Sequence, residues 1–480
     1  MQKKTYLAID LGASSGRVVA GSYDGKTLDL EVVHSFSTLP FDLEGTLRID
    51  LESFHGEILL GIHRVMELFG EVVSVGVDSW GGQIVLIDSN GKLIETPYHY
   101  RDPVNHGFME EVHGRMSAME LYRITGLKES QLSDWLAHRH RLSNDIESAD
   151  RLLQIPDFFN FRLCGNKVNE YSNALQTQFV NTHTRNWSEV VLEKMDLPRR
   201  LLGEIAFPGT YIGDLATKPI RVVAVASHDT SSALAATPLK GERSAFISLG
   251  TWAIMGFEVA EPLITVETFS AGIQNSSIFG RTFALSRSVI GLWILEECRR
   301  TWQSEGREYS FPELVALASE ADSFTAVLST DSQTFFPPGD MVSRIRRICG
   351  ETGQRVPEND GEVVRIVLEG LALSFRHFFQ SLESSSGYKA DSINVVGGGS
   401  RNALLNQFTA DACGIPIIAG PAEATAAGNI IAQLMAEEEF ESLEEGRELI
   451  SKSFPRKIFV PREQTLWDDA DERFSLHWVK

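Results

Sequence analysis

The chain has 480 residues, 43% of them hydrophobic and 23% charged, with a formal net charge of −21. That length exceeds one ordinary hydrophobic core and predicts two large domains. The negative charge argues against a nucleic-acid partner, which calls for clustered Lys and Arg, but leaves room for a phosphorylated small molecule held by local donors. The first residues, MQKKTYLAID, lack the apolar run of a secretory signal, and no stretch reads as a membrane span. The expectation is a cytoplasmic protein with no membrane partner. Four cysteines, Cys164, Cys298, Cys349 and Cys413, stand far apart with no CxxC, which suggests reduced thiols and no zinc site.

In chain order, residues 5–23 read as strand, Gly/Ser-rich turn, strand, and Asp24-Gly25 turns the chain into a third strand over 28–36. Residues 72–88 are again strand-like, with a turn at Asn90-Gly91, and helical patterns fill 107–165. A buried-type strand at 222–226 runs into His228-Asp229-Thr230 and then small helix formers. Residues 243–258 repeat the opening grammar of strand, tight turn, strand. Leu249-Gly250-Thr251 answers Leu11-Gly12-Ala13 at an offset of 238 residues, about half the chain. This predicts two related α/β domains, 1–238 and 239–480, each opening with a hairpin. Further on, residues 393–405 read as strand, glycine turn, helix start, and 420–429 as a small-residue, helix-compatible segment. The acidic stretch 435–448 reads as a solvated helical face.

Four of these stretches could carry chemistry. Asp10 sits at the end of an apolar strand, and the small residues after it let backbone N–H groups approach phosphate oxygens. The carboxylate suits a hydrated Mg²⁺; a plain hairpin with a polar tip is the alternative. Asp229, also at a strand end, could accept the proton of an attacking hydroxyl, although Asp229 or Thr230 could equally be a helix N-cap and His228 a packed ring. The triple glycine Gly397, Gly398 and Gly399 lets a charged or flat ligand lie against backbone at a helix N-terminus, or makes a bare turn. The stretch 420–429 by itself says little. Gly25-Lys26-Thr27 imitates a P-loop, but position 20 is Ala where that motif needs Gly. No GxGxxG occurs.

Taken together, these stretches resemble the FGGY carbohydrate kinases, and within that family the rhamnulokinase branch. The shared passages span nearly the whole chain: 10–17, SVGVDSWG (74–81), PYHYRD (97–102), IPDFFNFRLCGN (155–166), VAVASHDTSSA (223–233), SLGTWAIMGFE (248–258), IGLW (290–293), VVGGGSRN (395–402), LLNQFTADACGI (404–415) and AGPAEATAAGNI (419–430). The resemblance implies two actin-like, ribonuclease-H-like domains of the hexokinase type with an interdomain cleft. Sugar would lie mainly on the first domain and ATP mainly on the second, with closure excluding water. By matching motif, Asp229 is similar to the general base and Asp10 to the metal-side carboxylate. Gly81, Gln83, His228, Asp229, Thr230 and Ser288 fall at sugar positions. Ala13, Ser14, Ser15, Gly16, Arg17, Thr251, Glu296, Gly397, Gly398, Gly399 and Asn402 fall at ATP positions.

The sequence also departs from the branch. Asp78-Ser79-Trp80-Gly81 is followed by Gly82-Gln83, where the branch reads Val-Asp, so a sugar-side carboxylate has become an amide. A Phe-Asn-Thr type pattern is replaced near residues 133–137. Ser288 stands for an Asn, and Glu296 for a frequent Gln. A charged hydrogen bond is worth roughly 1.5–3 kcal/mol, so these changes bear on which sugar is taken. The expected reaction is ATP·Mg²⁺-dependent phosphorylation of L-rhamnulose at O1. The alternatives are another ketose (L-fuculose or a pentulose), a sugar or nucleotide sensor on the same scaffold, and an ATPase or phosphatase acting on water. The expected partners are a small sugar and ATP, and the expected assembly is a monomer or small homo-oligomer.

Overall fold

The computed structural model describes residues 3–128, 132–142, 145–241 and 243–477. Two compact units are present. The first comprises Met1–Pro238, Glu258–Leu285 and Glu423–Ser453, and the second Leu239–Phe257, Ser286–Ala422 and Phe454–Lys480.

The first unit is built on a six-stranded sheet. Its strands are β1 (Lys4–Leu11), β2 (Ser15–Tyr23), β3 (Leu28–Ser37), β4 (Val72–Ser79), β5 (Thr210–Asp214) and β6 (Arg221–Ala224), in the spatial order β5-β6-β4-β1-β2-β3. The β1–β2–β3 meander is antiparallel, whereas β4 and β6 join parallel. Every residue of β1 after Lys4 is buried, as expected of a central strand covered on both faces. The helix α1 (Leu51–Phe69) buries Leu51, Phe54, Ile58, Ile62 and Val65 against this sheet, and Asp50 caps it by accepting from the Ser53 N–H at 2.9 Å. The helix Ile155–Cys164 adds Phe158, Phe159 and Leu163 to the same core.

Two local expectations change. The span 107–165 is not helical throughout: Arg151–Gln154 is a strand, paired antiparallel with Ile84–Ile87. Its short apolar run, with Leu152 and Leu153 buried, has no periodicity that separates strand from helix. The acidic stretch 435–448 is not one solvated face either. One helix ends at Ala436 and the next begins at Leu443. Between them Glu438 takes φ 59°, Glu437 pairs with Arg221 at 2.7 Å and Glu439 with Lys4 at 2.5 Å.

The second unit repeats the grammar. Strands β7 (Ser244–Leu249) and β8 (Trp252–Val259) form an antiparallel hairpin. Next to β7 run β9 (Ser392–Val396) and β10 (Ile417–Ala419), both parallel, and then β11 (Lys457–Phe459), antiparallel. A hairpin flanked by parallel strands is the ribonuclease-H-like arrangement in both units. No helix among the described residues is long and apolar enough to cross a membrane. All four cysteines are free thiols.

Candidate active site

The pairing register brings charge together at the end of the first sheet. Asp10 lies opposite Arg17 across the β1–β2 hairpin and beside Asp78 on the parallel strand β4. The Arg17 guanidinium pairs with Asp10 through Nη2 and with Glu423 through Nη1, the latter at 2.5 Å. Asp78 is fully buried; one oxygen accepts from Asn429 Nδ2 at 2.6 Å, while the other is buried without a hydrogen bond. Burial pushes both carboxyls above their ordinary range. For Asp10 the adjacent Arg17 opposes that rise and the charge of Asp229 adds to it. For Asp78, raised well above, the charge of Asp10 adds to burial. Arg17 thus favours the ionised form of Asp10, while burial beside that charge favours the protonated form of Asp78. Asn429 and Gln433 stand one helical turn apart on Ala424–Ala436; Gln433 bonds Leu7 O, Ser74 Oγ and Asn429 Oδ1, each at 2.7 Å, which fixes that helix to the sheet.

Strand β6 ends before residues 225–228, and a helix runs Asp229–Ala235 with His228 as its N-cap residue. The N-cap thus falls on His228, one residue before Asp229 and two before Thr230. Asp229 accepts from the Thr230 N–H at 2.6 Å and the Thr230 hydroxyl at 3.2 Å, both on Oδ1. Although 31% of the Asp229 side chain is exposed, the surrounding protein desolvates the carboxyl and pushes its pKa up to about 6. The His228 ring, 3.5 Å from Asp229 Oδ1, is buried and pushed down to about 4, so it is neutral near pH 7. Gly81 faces this peptide at close quarters: a Cβ there would lie 2.8 Å from Gln176 Cγ and 3.0 Å from His228 Cδ2. Gln83 is buried, and its Nε2 reaches Asp134 Oδ2 at 3.4 Å. Gln83 thus stands against a buried carboxyl, that of Asp134.

In the second unit, the Gly250–Thr251 turn receives the start of the helix Trp293–Ser304: the N–H groups of Gly291 and Leu292 donate to Thr251 O and Gly250 O, at 3.0 and 2.9 Å. Glu296 lies on that helix and pairs with Arg299 at 3.1 Å. The triple glycine sits on the same hairpin, since a Cβ on Gly399 would fall 2.3 Å from Leu249 Cγ. Asn402 caps the helix Ala403–Cys413 by accepting from the Leu405 N–H at 3.0 Å. Thr251, Gly397, Gly398 and Gly399 are thus gathered around one hairpin, with Glu296 on a helix that docks there. Of the residues expected at sugar positions, Ser288 alone belongs to this unit; Gly81, Gln83, His228, Asp229 and Thr230 belong to the first, as do Asp10 and the hairpin tip of Ala13, Ser14, Ser15, Gly16 and Arg17.

Sequence reasoning missed Asp78, Asp134, Glu423 and Asn429 as members of the polar site. Asp78 opens the DSWG passage and Glu423 and Asn429 lie within EATAAGN, but only strand register and helix docking reveal their partners. Among the described residues, no three His, Cys, Asp or Glu side chains converge to hold a metal unaided. The hard oxygens of the Asp10 carboxyl, at the end of β1, suit a Mg²⁺ ion carrying further oxygen ligands of its own.

Comparison with known proteins bears on the whole chain. The N-terminal domain model of the FGGY family of carbohydrate kinases matches residues 5–230, and the C-terminal domain model of that family matches residues 245–437. A rhamnulokinase of Bacteroides thetaiotaomicron is 37% identical over 486 aligned residues, covering 98% of this chain and 99% of the relative. One from Oceanobacillus iheyensis is 35% identical, covering 93% and 96%. The solved structure of a ligand-bound xylulose kinase from Lactobacillus acidophilus superimposes with a TM-score of 0.80 at 16% identity, covering 98% of this chain and 97% of that one, a likeness of fold. The chain belongs to the FGGY family of carbohydrate kinases and is an ATP-dependent sugar kinase, a phosphotransferase with an alcohol group as acceptor.

Proposed function

We propose that this kinase phosphorylates L-rhamnulose at O1, as a cytoplasmic enzyme of rhamnose catabolism working as a monomer or small homo-oligomer. The observation that carries the reading is near-full-length similarity to rhamnulokinases at 35–37% identity. In this reading Asp229 is the general base. Its hydrogen bonds engage Oδ1, so Oδ2 takes the proton of the attacking hydroxyl, and a pKa of about 6 leaves it ionised yet appreciably basic near neutrality. Gly81, Gln83, His228, Thr230 and Ser288 contact the sugar. The neutral His228 ring offers it a hydrogen bond without repelling a cation. Residues 13–17, Thr251, Glu296, Gly397, Gly398, Gly399 and Asn402 bind ATP, and Asp10 is the carboxylate on the metal side. Bound with ATP, Mg²⁺ neutralises charge on the phosphates.

A second reading, a kinase for L-fuculose or a pentulose, is favoured by Gln83 and Ser288. The test is ADP release with ATP·Mg²⁺ across L-rhamnulose, L-fuculose, L- and D-ribulose and L- and D-xylulose, with glycerol and no-sugar controls. Highest kcat/KM with L-rhamnulose supports the first reading, and highest with another ketose supports the second. ATP turnover that ignores sugar altogether overturns both.

A further inference from the structure

Glu170 is fully buried in the first unit, and a single oxygen, Oε2, collects five donors. They are the N–H groups of Ser172 (2.9 Å), Asn173 (3.2 Å) and Ser227 (3.1 Å) and the hydroxyls of Ser172 and Ser227, both at 2.6 Å. Capping the short helix Tyr171–Gln176 accounts for the N–H groups of Ser172 and Asn173. The two bonds to Ser227 lie outside that task and reach a peptide two residues before Asp229. The same helical turn continues the grip. Ser172 Oγ accepts from the His228 N–H at 3.1 Å, and Asn173 Nδ2 donates to Ser227 O at 3.3 Å and Trp80 O at 3.4 Å. Asn173 Oδ1 accepts from the Gly82 N–H at 2.9 Å. Glu170 thus anchors the peptide that delivers Asp229, and Asn173, whose N–H it accepts, holds the peptide that carries Gly81.

We propose that Glu170 is a positioning residue for phosphoryl transfer: through Ser227, Ser172 and Asn173 it fixes the 227–229 peptide and so aims the Asp229 carboxylate at the sugar hydroxyl. This rests on the reading of Asp229 as the base. The assignment needs an anchor where Asp229 enters its helix, because the cap residue there, His228, makes no side-chain cap bond of its own. Misplacing a reacting group by about 1 Å costs on the order of 100-fold in rate.

The experiment compares Glu170→Ala, Glu170→Gln, Ser227→Ala and Asp229→Asn with the parent enzyme, using L-rhamnulose and ATP·Mg²⁺, and reads kcat, both KM values, the pH profile of kcat/KM and thermal melting. Glu170→Ala is expected to lower kcat by about 100-fold with KM for ATP within about twofold, and to move the acid limb below pH 6 as Asp229 leaves its desolvated seat. Glu170→Gln, which keeps an acceptor oxygen of the same reach, is expected within about fivefold of the parent. If Glu170→Ala does not fold, Ser227→Ala decides, with an expected loss of about 5- to 20-fold in kcat and the same shift of the limb. Should Asp229→Asn be inactive while Glu170→Ala or Ser227→Ala keeps the parental kcat and acid limb, the proposal falls and the base assignment stands. A loss of rate with an unmoved limb and no rescue by Gln assigns Glu170 to folding alone and also overturns it. Parental turnover in Asp229→Asn removes the base assignment and the proposal with it.

Discussion

The pH response of turnover follows from the seat of Asp229. A carboxyl with a pKa of about 6 is roughly 90% ionised at pH 7 and roughly 10% at pH 5, whereas an ordinary Asp would remain above about 90% ionised at both. If the ionised form takes the sugar proton, kcat/KM falls about tenfold between pH 7 and pH 5. His228, titrating at about 4, contributes little over that range. Chromatographic measurement of ADP avoids coupling enzymes with pH profiles of their own. Asp229→Asn should lose turnover by about 100- to 10,000-fold while binding ATP nearly as the parent does. The variant should also gain stability. The folded-state pKa of Asp229 lies above its unfolded value, so the ionised carboxylate is destabilising above about pH 6, and the cost disappears below about pH 4. Asp229→Asn therefore melts higher than the parent at pH 7.5, and the gap closes as pH falls to 4. A kcat/KM that is flat from pH 5 to 8, or a variant that melts lower at pH 7.5 than the parent, would refute the reasoning.

Two further changes test the packing around the site. Gly428→Ala drives a methyl to 1.8 Å from the Ser232 carbonyl oxygen, a backbone atom that no rotamer change can move; a loss of about 1–3 kcal/mol is expected in denaturant unfolding, and a parental midpoint would show that the two helices separate freely. Gln83→Asp sets a second carboxylate against buried Asp134, with an expected cost of about 1–3 kcal/mol. Gln83→Asp combined with Asp134→Asn should recover most of it, and equal losses in the single and double variants would show that positions 83 and 134 are not coupled.

Much of the site's frame was legible in the sequence because the relevant signals are local. The turn residues of both hairpins, the apolar strands before Asp10 and Asp229, and the triple glycine are all set by backbone preference and burial within a few residues. The strand Arg151–Gln154 was not legible, since four residues carry too little periodicity and its partner lies more than 60 residues away. The same limit hid the network around Glu170, whose segment reads as a bare helix start until its oxygen is seen to reach Ser227, 57 residues on.

Motif content, through its likeness to a family, indicated the kind of chemistry and located the residues that could perform it. Only the tertiary structure decided their electrostatic state. The register that sets Asp10 beside Asp78, the reach of Arg17 to Glu423 across 406 residues, and the seating of Asn429 on Asp78 depend on how distant segments pack. A carboxyl's pKa is fixed by the water and charge within a few ångströms, and sequence neighbours supply only a small part of that surrounding.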